Sequence, residues 1–299
     1  MTGQRLRLHL VDGTYELFRA QFSKRPDHVA PSGLSVKGVV GLVSSLLALL
    51  HDPAEAVTHL GIAFDRPIRS FRNDLFDGYK SDEGLPEEIR AQMIPAEEAA
   101  RALGVAVWSM DRWEADDALA TAAARFRGDF AQVRILTPDK DLGQCLDGQR
   151  VVQVDRLRER VIDEAALRAQ RGIAPRSIPD LLAIVGDTAD GIPGLPGIGD
   201  KTAGALLGRY GHLEAIPAQA SDWDVKIRGA ETLAATLRDH REAALLYRTL
   251  ATLVEDVPLP QKLPDDLAFR GVPRQAYERW CDGLGVTTLK RRPTRWDEG

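Results

Sequence analysis

Short apolar runs with a strand-like pattern alternate with helical patterns along the first half of the chain. The apolar runs cover residues 5–11, 57–64, 105–108 and 133–136. Helical periodicity lies between them, most clearly over residues 38–50 and 114–126. Strands that alternate with helices form a mostly parallel sheet whose faces are covered by helices. The sequence therefore predicts an α/β fold with a mostly parallel central sheet flanked by helices.

Three of these runs end at, or just before, an aspartate: Asp12, Asp65 and Asp139. Each of them could be an ordinary turn residue. In open α/β sheets, however, ligands bind at the carboxyl ends of the strands. The repeated placement therefore predicts a functional site at that edge of the sheet.

Further carboxylates come in short groups that each have a plain structural interpretation, as helix starts or turns. Taken together they suit hard divalent cations, which prefer oxygen ligands. Two such ions about 3.5–4 Å apart can activate water and stabilise the leaving oxygen of a phosphodiester. With the three aspartates above, the candidate metal ligands are Asp12, Asp65, Glu114, Asp116, Asp117, Asp139, Asp141, Asp187 and Asp190. Lys140, between two of them, is expected to be solvated.

The net charge of −5 argues against a nucleic-acid partner unless the acids are concentrated in one place. Without the nine candidate ligands, 35 acids remain against 39 Lys and Arg, a balance of +4. Two cysteines do not make a disulfide framework, and neither a signal peptide nor a membrane span is evident. We therefore expect a reduced cytoplasmic protein.

Residues 194–203 form a glycine-rich stretch that matches the motif of a phosphate-binding loop only in part. In a P-loop, Lys follows the second Gly directly, whereas Asp200 separates Gly199 from Lys201 here. The alternative is a glycine hairpin between two helices, whose backbone N–H groups suit a DNA phosphate. A tight helix-turn-helix without a ligand remains possible on the sequence alone.

Eight short motifs occur in an order and spacing that carry a resemblance. They are VDG at Val11, FD at Phe64, FR at Phe71, YK at Tyr79, EADD at Glu114, DKD at Asp139, GDxxD at Gly186 and GxPGIGxKTA at Gly194. Together they resemble the 5′ nuclease (flap endonuclease) superfamily, which includes the 5′ nuclease domain of bacterial DNA polymerase I and stand-alone bacterial and phage enzymes. The resemblance runs from about Leu8 to Gly211, and more weakly to the end.

The resemblance implies a role for each matching residue. Asp12, Asp65, Glu114 and Asp116, with Asp117 beside them, correspond to a first metal cluster. Asp139, Asp141, Asp187 and Asp190 correspond to a second. Lys80 and Arg72 correspond to catalytic residues that stabilise charge on the phosphate. The residues implied to contact DNA are Arg19, Tyr79, Gly194, Gly197, Gly199, Lys201 and Thr202.

It also implies a division of the chain. Residues 1–174 would be the catalytic α/β region with a helical arch at about 66–100, and 175–299 a helical region with a helix-hairpin-helix at about 181–211 that contributes to the same active site. The arch departs from the family pattern because it is acidic, which should weaken threading of single-stranded DNA. The acids are Asp82, Glu83, Glu87 and Glu88. The usual GDxSDN motif also loses two polar side chains, at Ala189 and Gly191.

The function implied is structure-specific 5′-3′ exonuclease and flap endonuclease activity in DNA replication and repair. The expected substrates are DNA flaps, nicks, overhangs or branches. The expected cofactors are two Mg²⁺ ions, replaceable by Mn²⁺, and K⁺ at the hairpin. We expect a monomer without a polymerase domain, in the cytoplasm and on the nucleoid. The alternatives are a non-catalytic branched-DNA-binding module and a PIN-like ribonuclease.

Overall fold

The computed structural model describes residues 6–66 and 68–297. Its contacts divide the chain into two units, each built from several segments. The sheet unit consists of the chain up to Ile68, Asp82–Thr137, and the chain from Glu255 onward. The helical unit consists of Arg69–Ser81 and Pro138–Val254.

The elements follow one another as strands and helices in the predicted alternation. The strands are β1 (Arg7–Asp12), β2 (His59–Asp65), β3 (Ala106–Met110), β4 (Gln132–Leu136), β5 (Val151–Asp155), β6 (Arg160–Ile162), β7 (Val272–Pro273) and β8 (Trp296–Asp297). The helices are α1 (Gly13–Gln21), α2 (Lys37–His51), α3 (Arg72–Leu75), α4 (Glu87–Arg90), α5 (Met93–Ala102), α6 (Ala115–Phe126), α7 (Glu164–Arg171), α8 (Ile178–Val185), α9 (Asp200–Tyr210), α10 (Ala230–Asp239), α11 (Arg241–Ala251), α12 (Arg274–Leu284) and α13 (Thr287–Lys290). Short 3-10 helices cover Lys140–Cys145, Pro175–Ser177, Leu213–Ala215, Ala220–Asp222 and Pro264–Leu267.

Four parallel strands, in the order β3-β2-β1-β4, form the main sheet of the sheet unit. The side chains of β1, β2 and β4 are almost all buried on both faces, as expected for a parallel sheet covered by helices, whereas the edge strand β3 is partly exposed. This explains why the strands appear in the sequence as nearly continuous apolar runs. The predicted mostly parallel α/β fold is confirmed, and all four predicted runs are strands.

The stretch predicted as an arch contains α3, α4 and most of α5. The segment of α3 belongs to the helical unit, and α4 and α5 belong to the sheet unit. Helix α5 buries Met93, Ala96 and Ala99 within its unit, so its residues are part of that unit's helical covering. The acid-rich part of the stretch consists of a turn and the four residues of α4.

The core of the helical unit is built around α8, whose Ile178, Leu181, Leu182 and Ile184 are buried. Helices α9 and α11 pack against it, and β5 and β6 form an antiparallel pair at another point of the unit. The sequence pattern predicted one helix over residues 231–253. The structure instead has α10 and α11, because the backbone leaves helical geometry at His240, with φ −108° and ψ 19°.

Helix α2 has the sequence that most resembles a membrane-spanning helix. It has 15 residues, fewer than the roughly 20 that the hydrocarbon core of a bilayer requires. Across the described parts of the chain, no helix combines the length and the apolar character that crossing a membrane requires.

Candidate metal centre

Asp12 is the last residue of β1 and the N-cap of α1. One of its carboxylate oxygens accepts a hydrogen bond from the Tyr15 N–H at 2.8 Å, and the other accepts one from the Thr137 hydroxyl at 3.0 Å. The side chain is buried, with 8% exposed. These bonds fix the carboxylate at the carboxyl edge of the sheet, as the strand pattern predicted.

Asp65 ends the neighbouring strand β2 and links it to the start of α6. Its N–H donates to the Thr14 hydroxyl at 2.9 Å, and its carboxylate accepts from the Ala115 N–H at 2.8 Å. The structure therefore brings Asp65 directly to the helix start that carries the next group of acids.

That helix start is a capping box. The Glu114 N–H donates to the Asp117 carboxylate at 2.9 Å, and the Glu114 side chain in turn accepts from the Asp117 N–H. Glu114 and Asp117 are buried, whereas Asp116 is partly exposed. Asp117 thus has a clear part in orienting this segment, and Asp116 is the more accessible of the two helical acids.

In the helical unit, Asp141, Asp187 and Asp190 form a compact cluster. Each offers one carboxylate oxygen, and these three oxygens all lie within 4.8 Å of one another. Asp139 is not one of the three: its carboxylate caps the following 3-10 helix by accepting from the Asp141 N–H at 2.9 Å. Of the four acids predicted for the second cluster, the structure gathers three.

Two members of the cluster lie on a tight turn. The backbone N–H and C=O groups of Asp187 and Ile192 bond to each other, at 2.8 Å in both directions. Gly191 in this turn has φ +73°, and a Cβ there would lie 2.0 Å from the Gly78 carbonyl oxygen. Only glycine fits such a position. The glycine that departs from the family motif at position 191 therefore allows this close approach of two backbone segments.

The electrostatics of the cluster favour a bound cation. Burial, together with repulsion from Asp139, Asp190 and Asp187, raises the pKa of Asp141 well above its usual range. The buried Oδ1 of Asp141 finds no hydrogen-bond donor among residues 6–66 and 68–297. An orphaned carboxylate oxygen beside two further carboxylates fits a hard divalent cation.

Two lysines are the counter-charges of this cluster. Lys140 Nζ lies 2.7 Å from Asp187 Oδ2, and Lys80 Nζ lies 2.9 Å from Asp190 Oδ1. The expectation that Lys140 is merely solvated was wrong, because the turn that carries Asp187 comes from a different segment of the chain. Its position between two candidate ligands was the only sequence signal that could have revealed this contact.

Tyr79 is buried, with 4% exposed, and belongs to the core of the helical unit. Its hydroxyl lies 3.4 Å from Asp190 Oδ2, and its ring centroid lies 5.6 Å from Lys80 Nζ. The resemblance implied an aromatic side chain beside the DNA strand. The ring observed here instead supports the Lys80–Asp190 pair from inside the unit.

Arg72 is almost completely buried, with 1% exposed. Its guanidinium donates to the carbonyl oxygens of Leu250 at 2.7 Å and Thr252 at 2.9 Å, at the end of α11. These bonds fasten α3 to α11.

Two further charged residues of the resemblance have structural partners in the sheet unit. Arg19 donates to Glu16 at 2.5 Å and to the Ser45 hydroxyl at 2.9 Å. The Asp82 carboxylate accepts from the Ile68 N–H at 2.7 Å, so one acid of the predicted arch is a local cap.

The glycine-rich stretch connects α8 to α9, as predicted for a hairpin between two helices. Gly194 and Gly197 have φ +72° and +76°, and Gly199 is the N-cap of α9. The Leu195 N–H donates to the Ile184 carbonyl at 2.7 Å, which ties the turn back to α8. Lys201 is exposed and Thr202 is partly exposed at the start of α9.

Arg171, which the sequence reasoning missed, lies between the cluster and this hairpin. It lines a cavity of about 430 Å³ together with Lys140 and Asp187, and a second of about 590 Å³ together with Lys201. Within the described chain its guanidinium makes no hydrogen bond or ion pair. No motif singles out this arginine, since only the folded chain places it beside both features.

Comparison with protein families accounts for most of the chain. Residues 7–172 match the family of 5′-3′ exonuclease N-terminal, resolvase-like domains. Residues 173–275 match the family of 5′-3′ exonuclease C-terminal domains with a SAM fold. The chain belongs to the 5′-3′ exonuclease family.

Curated relatives of this exonuclease-family chain are bacterial DNA polymerases I. That of Bacillus caldotenax is 34% identical over 289 residues, which cover 95% of this chain and 32% of the relative. That of Pseudomonas aeruginosa is 33% identical over 290 residues, which cover 93% and 31%. The chain thus spans about a third of the length of these relatives.

Solved structures share the fold at low sequence identity. The bacteriophage T5 5′-exonuclease with bound zinc has a TM-score of 0.65 and 19% identity, over 83% of this chain and 90% of that one. The T5 flap endonuclease, in a pseudo-enzyme-product complex with DNA and metal ions, has a TM-score of 0.64 and 18% identity, over 96% of each chain. The fold of this exonuclease-family chain is therefore that of the phage 5′ nucleases.

Proposed function

We propose that this chain is a structure-specific 5′ nuclease that hydrolyses DNA phosphodiester bonds near 5′ ends, at flaps, nicks, overhangs or branches, during replication and repair. The observation that carries the proposal is the cluster of Asp141, Asp187 and Asp190, with carboxylate oxygens within 4.8 Å of one another. Gathering buried carboxylates is electrostatically costly unless a cation offsets their charge. A protein that only binds DNA would gain no affinity from gathering carboxylates in this way.

The proposed cofactors are two divalent cations, Mg²⁺ or Mn²⁺. Asp12, Asp65, Glu114 and Asp116 would hold one of them, and the cluster of the helical unit would hold the other. When bound, such ions activate water and stabilise the charge of the phosphoryl group and leaving oxygen. Asp117 would orient its helix start rather than serve as a main ligand, because its carboxylate is engaged in the capping box.

Lys80 is the residue that we propose acts on the substrate phosphate. Its ammonium is partly exposed, with 27% of the side chain accessible, and is directed by Asp190. A lysine held in this way can donate to a phosphate oxygen and stabilise the charge that develops there.

The hairpin between α8 and α9 would hold the DNA backbone, with K⁺ bound to its carbonyl groups. Gly194, Gly197 and Gly199 allow the turn, and Lys201 and Thr202 begin the following helix, whose N-terminus favours anions. The structure of the T5 flap endonuclease with DNA and metal ions supports the substrate class by analogy of fold. We further expect the chain to act as a monomer in the cytoplasm.

The deciding experiment uses a DNA duplex with a 5′ single-stranded flap, labelled at the 5′ end. We expect labelled product only with Mg²⁺ or Mn²⁺, and loss of product in Asp187→Asn and Asp190→Asn. Asp239→Asn changes an exposed acid of α10 and should cleave like the wild type. A flap-length product would indicate endonuclease action, whereas single nucleotides would indicate exonuclease action.

Two results would contradict the proposal in different ways. Tight binding of the flap without cleavage under either metal would identify a non-catalytic branched-DNA-binding module. Preferential cleavage of an RNA flap of the same sequence would identify a ribonuclease.

A further inference from the structure

We propose that Lys140 is a built-in competitor of the metal ion, which lowers the affinity of the cluster Asp141–Asp187–Asp190 for divalent cations until substrate is present. The inference rests on the proposed function, in so far as that function assigns a cation to this cluster. It adds a regulatory role for a residue to which neither the motifs nor the comparisons assign one.

The competition follows from where the two ammonium groups lie. Lys140 Nζ is 2.7 Å from Asp187 Oδ2, and Lys80 Nζ is 2.9 Å from Asp190 Oδ1. Two of the three clustered carboxylates therefore already carry a positive partner. A cation that binds these carboxylates meets a like charge within a few ångströms and takes over oxygens that an ammonium occupies.

The two lysines differ in how firmly they are held. The Lys80 backbone N–H donates to the Asp190 carbonyl oxygen at 3.0 Å, and its ammonium lies 5.6 Å from the buried Tyr79 ring. Lys140 is in the first turn of a 3-10 helix, and 42% of its side chain is exposed. A flexible, half-exposed lysine can leave its partner at little cost. We infer that an incoming cation displaces Lys140 and leaves Lys80 in place.

The displaced Lys140 ammonium could contact a DNA phosphate in the neighbouring cavity. Lys140 and Arg171 are the basic residues that line the cavity of about 430 Å³, and Asp187 and Asp200 are its acidic residues. A DNA phosphate in that cavity would attract the freed Lys140 together with Arg171. Because such coupling is reciprocal, DNA would then raise the cation affinity of the cluster just as the cation raises the affinity for DNA.

The test is Lys140→Met, which keeps the length of the side chain and removes its charge. Titration calorimetry with Mn²⁺, in the absence of DNA, should show tighter binding than in the wild type by roughly three- to thirtyfold, the effect of removing one unit charge about 4–5 Å from a divalent ion near the surface. Lys226→Met changes an exposed lysine of the same unit and should bind Mn²⁺ like the wild type. Unchanged or weaker binding in Lys140→Met would overturn the inference.

The assignment to this cluster is checked with Asp187→Asn. Loss of one binding event in Asp187→Asn identifies the event that Lys140→Met must strengthen. If Asp187→Asn binds Mn²⁺ like the wild type, the metal assignment of the proposed function fails, and the inference fails with it. If the event is lost in Asp187→Asn but unchanged in Lys140→Met, the metal site stands and only the competition is wrong.

A second measurement addresses the coupling to DNA. Binding of a flap duplex is compared with and without Ca²⁺, by fluorescence anisotropy. We expect Ca²⁺ to increase the affinity for the flap duplex by a factor that is at least severalfold smaller in Lys140→Met than in the wild type and in Lys226→Met. An equal strengthening in all three proteins would contradict the release of Lys140 towards the phosphate.

Discussion

Lys80 is bound to Asp190 twice: its ammonium lies 2.9 Å from the carboxylate, and its backbone N–H donates to the carbonyl oxygen at 3.0 Å. The two residues are 110 positions apart in the sequence. The double contact ties a cationic side chain to one ligand of the candidate metal site. It therefore determines where a substrate phosphate would meet positive charge.

Replacing Lys80 with alanine should lower the single-turnover rate of flap cleavage by on the order of 10²-fold, since one preorganised donor to the phosphate is lost. Binding of the flap duplex should change little, because one of many backbone contacts disappears. The rate is measured at saturating enzyme and Mg²⁺. A rate within twofold of the wild type would exclude Lys80 from the chemistry.

Gly191→Ala should disrupt the turn that carries two of the clustered acids. The new Cβ would lie 2.0 Å from the Gly78 carbonyl oxygen, at φ +73°. We expect a loss of about 2–4 kcal/mol in the free energy of unfolding, from backbone strain and overpacking. Gly128→Ala is the control, because a Cβ at Gly128 meets nothing within 4 Å. Urea unfolding of both variants at pH 7 measures the difference, and equal stability would refute the close approach.

Arg72→Met tests whether Arg72 is structural or catalytic. The change leaves the carbonyl groups of Leu250 and Thr252 without their buried donor, which should cost about 2–4 kcal/mol of stability. Arg69→Met, at a side chain that is 64% exposed, should cost almost nothing. A variant that keeps wild-type stability but loses cleavage would support the catalytic role that the resemblance implied.

Arg171→Ala should weaken DNA binding without affecting the fold. Its guanidinium lines both cavities beside the cluster and the hairpin, so we expect it to contact one phosphate. The slope of log Kd against log salt should then fall by about one unit. Arg168→Ala, which removes an exposed partner of Glu164 on the same helix, is the matched control. Equal slopes in the two variants would show that Arg171 does not contact DNA.

The free energy of unfolding should decline as the pH falls below about 6.5, because of a hydrogen-bonded pair in the sheet unit. The pair is the buried His9 and the partly buried Glu55, whose Nε2 and Oε2 atoms lie 3.0 Å apart. Burial lowers the pKa of His9 from its usual 6.5, so folding favours neutral His9, and the stability this gives is present above that pH. The hydrogen bond with His9 lowers the pKa of Glu55 to about 2, despite its partial burial and with the help of Arg134. The contribution of Glu55 is therefore complete above its usual 4.5 and is lost towards pH 2.

The measurement is urea unfolding of the wild type and Glu55→Gln from pH 8 to pH 3. The wild type should lose stability steadily over the acid range. The variant should be less stable at pH 7, and the gap should narrow as the pH approaches 3. A gap that is constant with pH would show that Glu55 does not titrate with the predicted shift.

The order of the elements and the family were already determined by the sequence. Four apolar runs predicted the four parallel strands, since strands buried on both sheet faces form nearly continuous apolar runs. Three of these runs lead to an aspartate, which predicted the edge of the sheet where the acids lie. The glycine spacing predicted the hairpin between α8 and α9. The pattern over residues 231–253 was less informative, because periodicity alone did not show the break at His240.

Only the tertiary structure decided what the charged residues of the site contact. Arg72 meets carbonyl groups 178 and 180 residues later, Lys140 meets Asp187, and Gly191 meets the backbone of Gly78. Local sequence patterns report which face of an element is buried, because burial repeats with the period of a helix or strand. They carry no information on which distant backbone or carboxylate will come within hydrogen-bond distance, since that depends on how whole segments pack against one another.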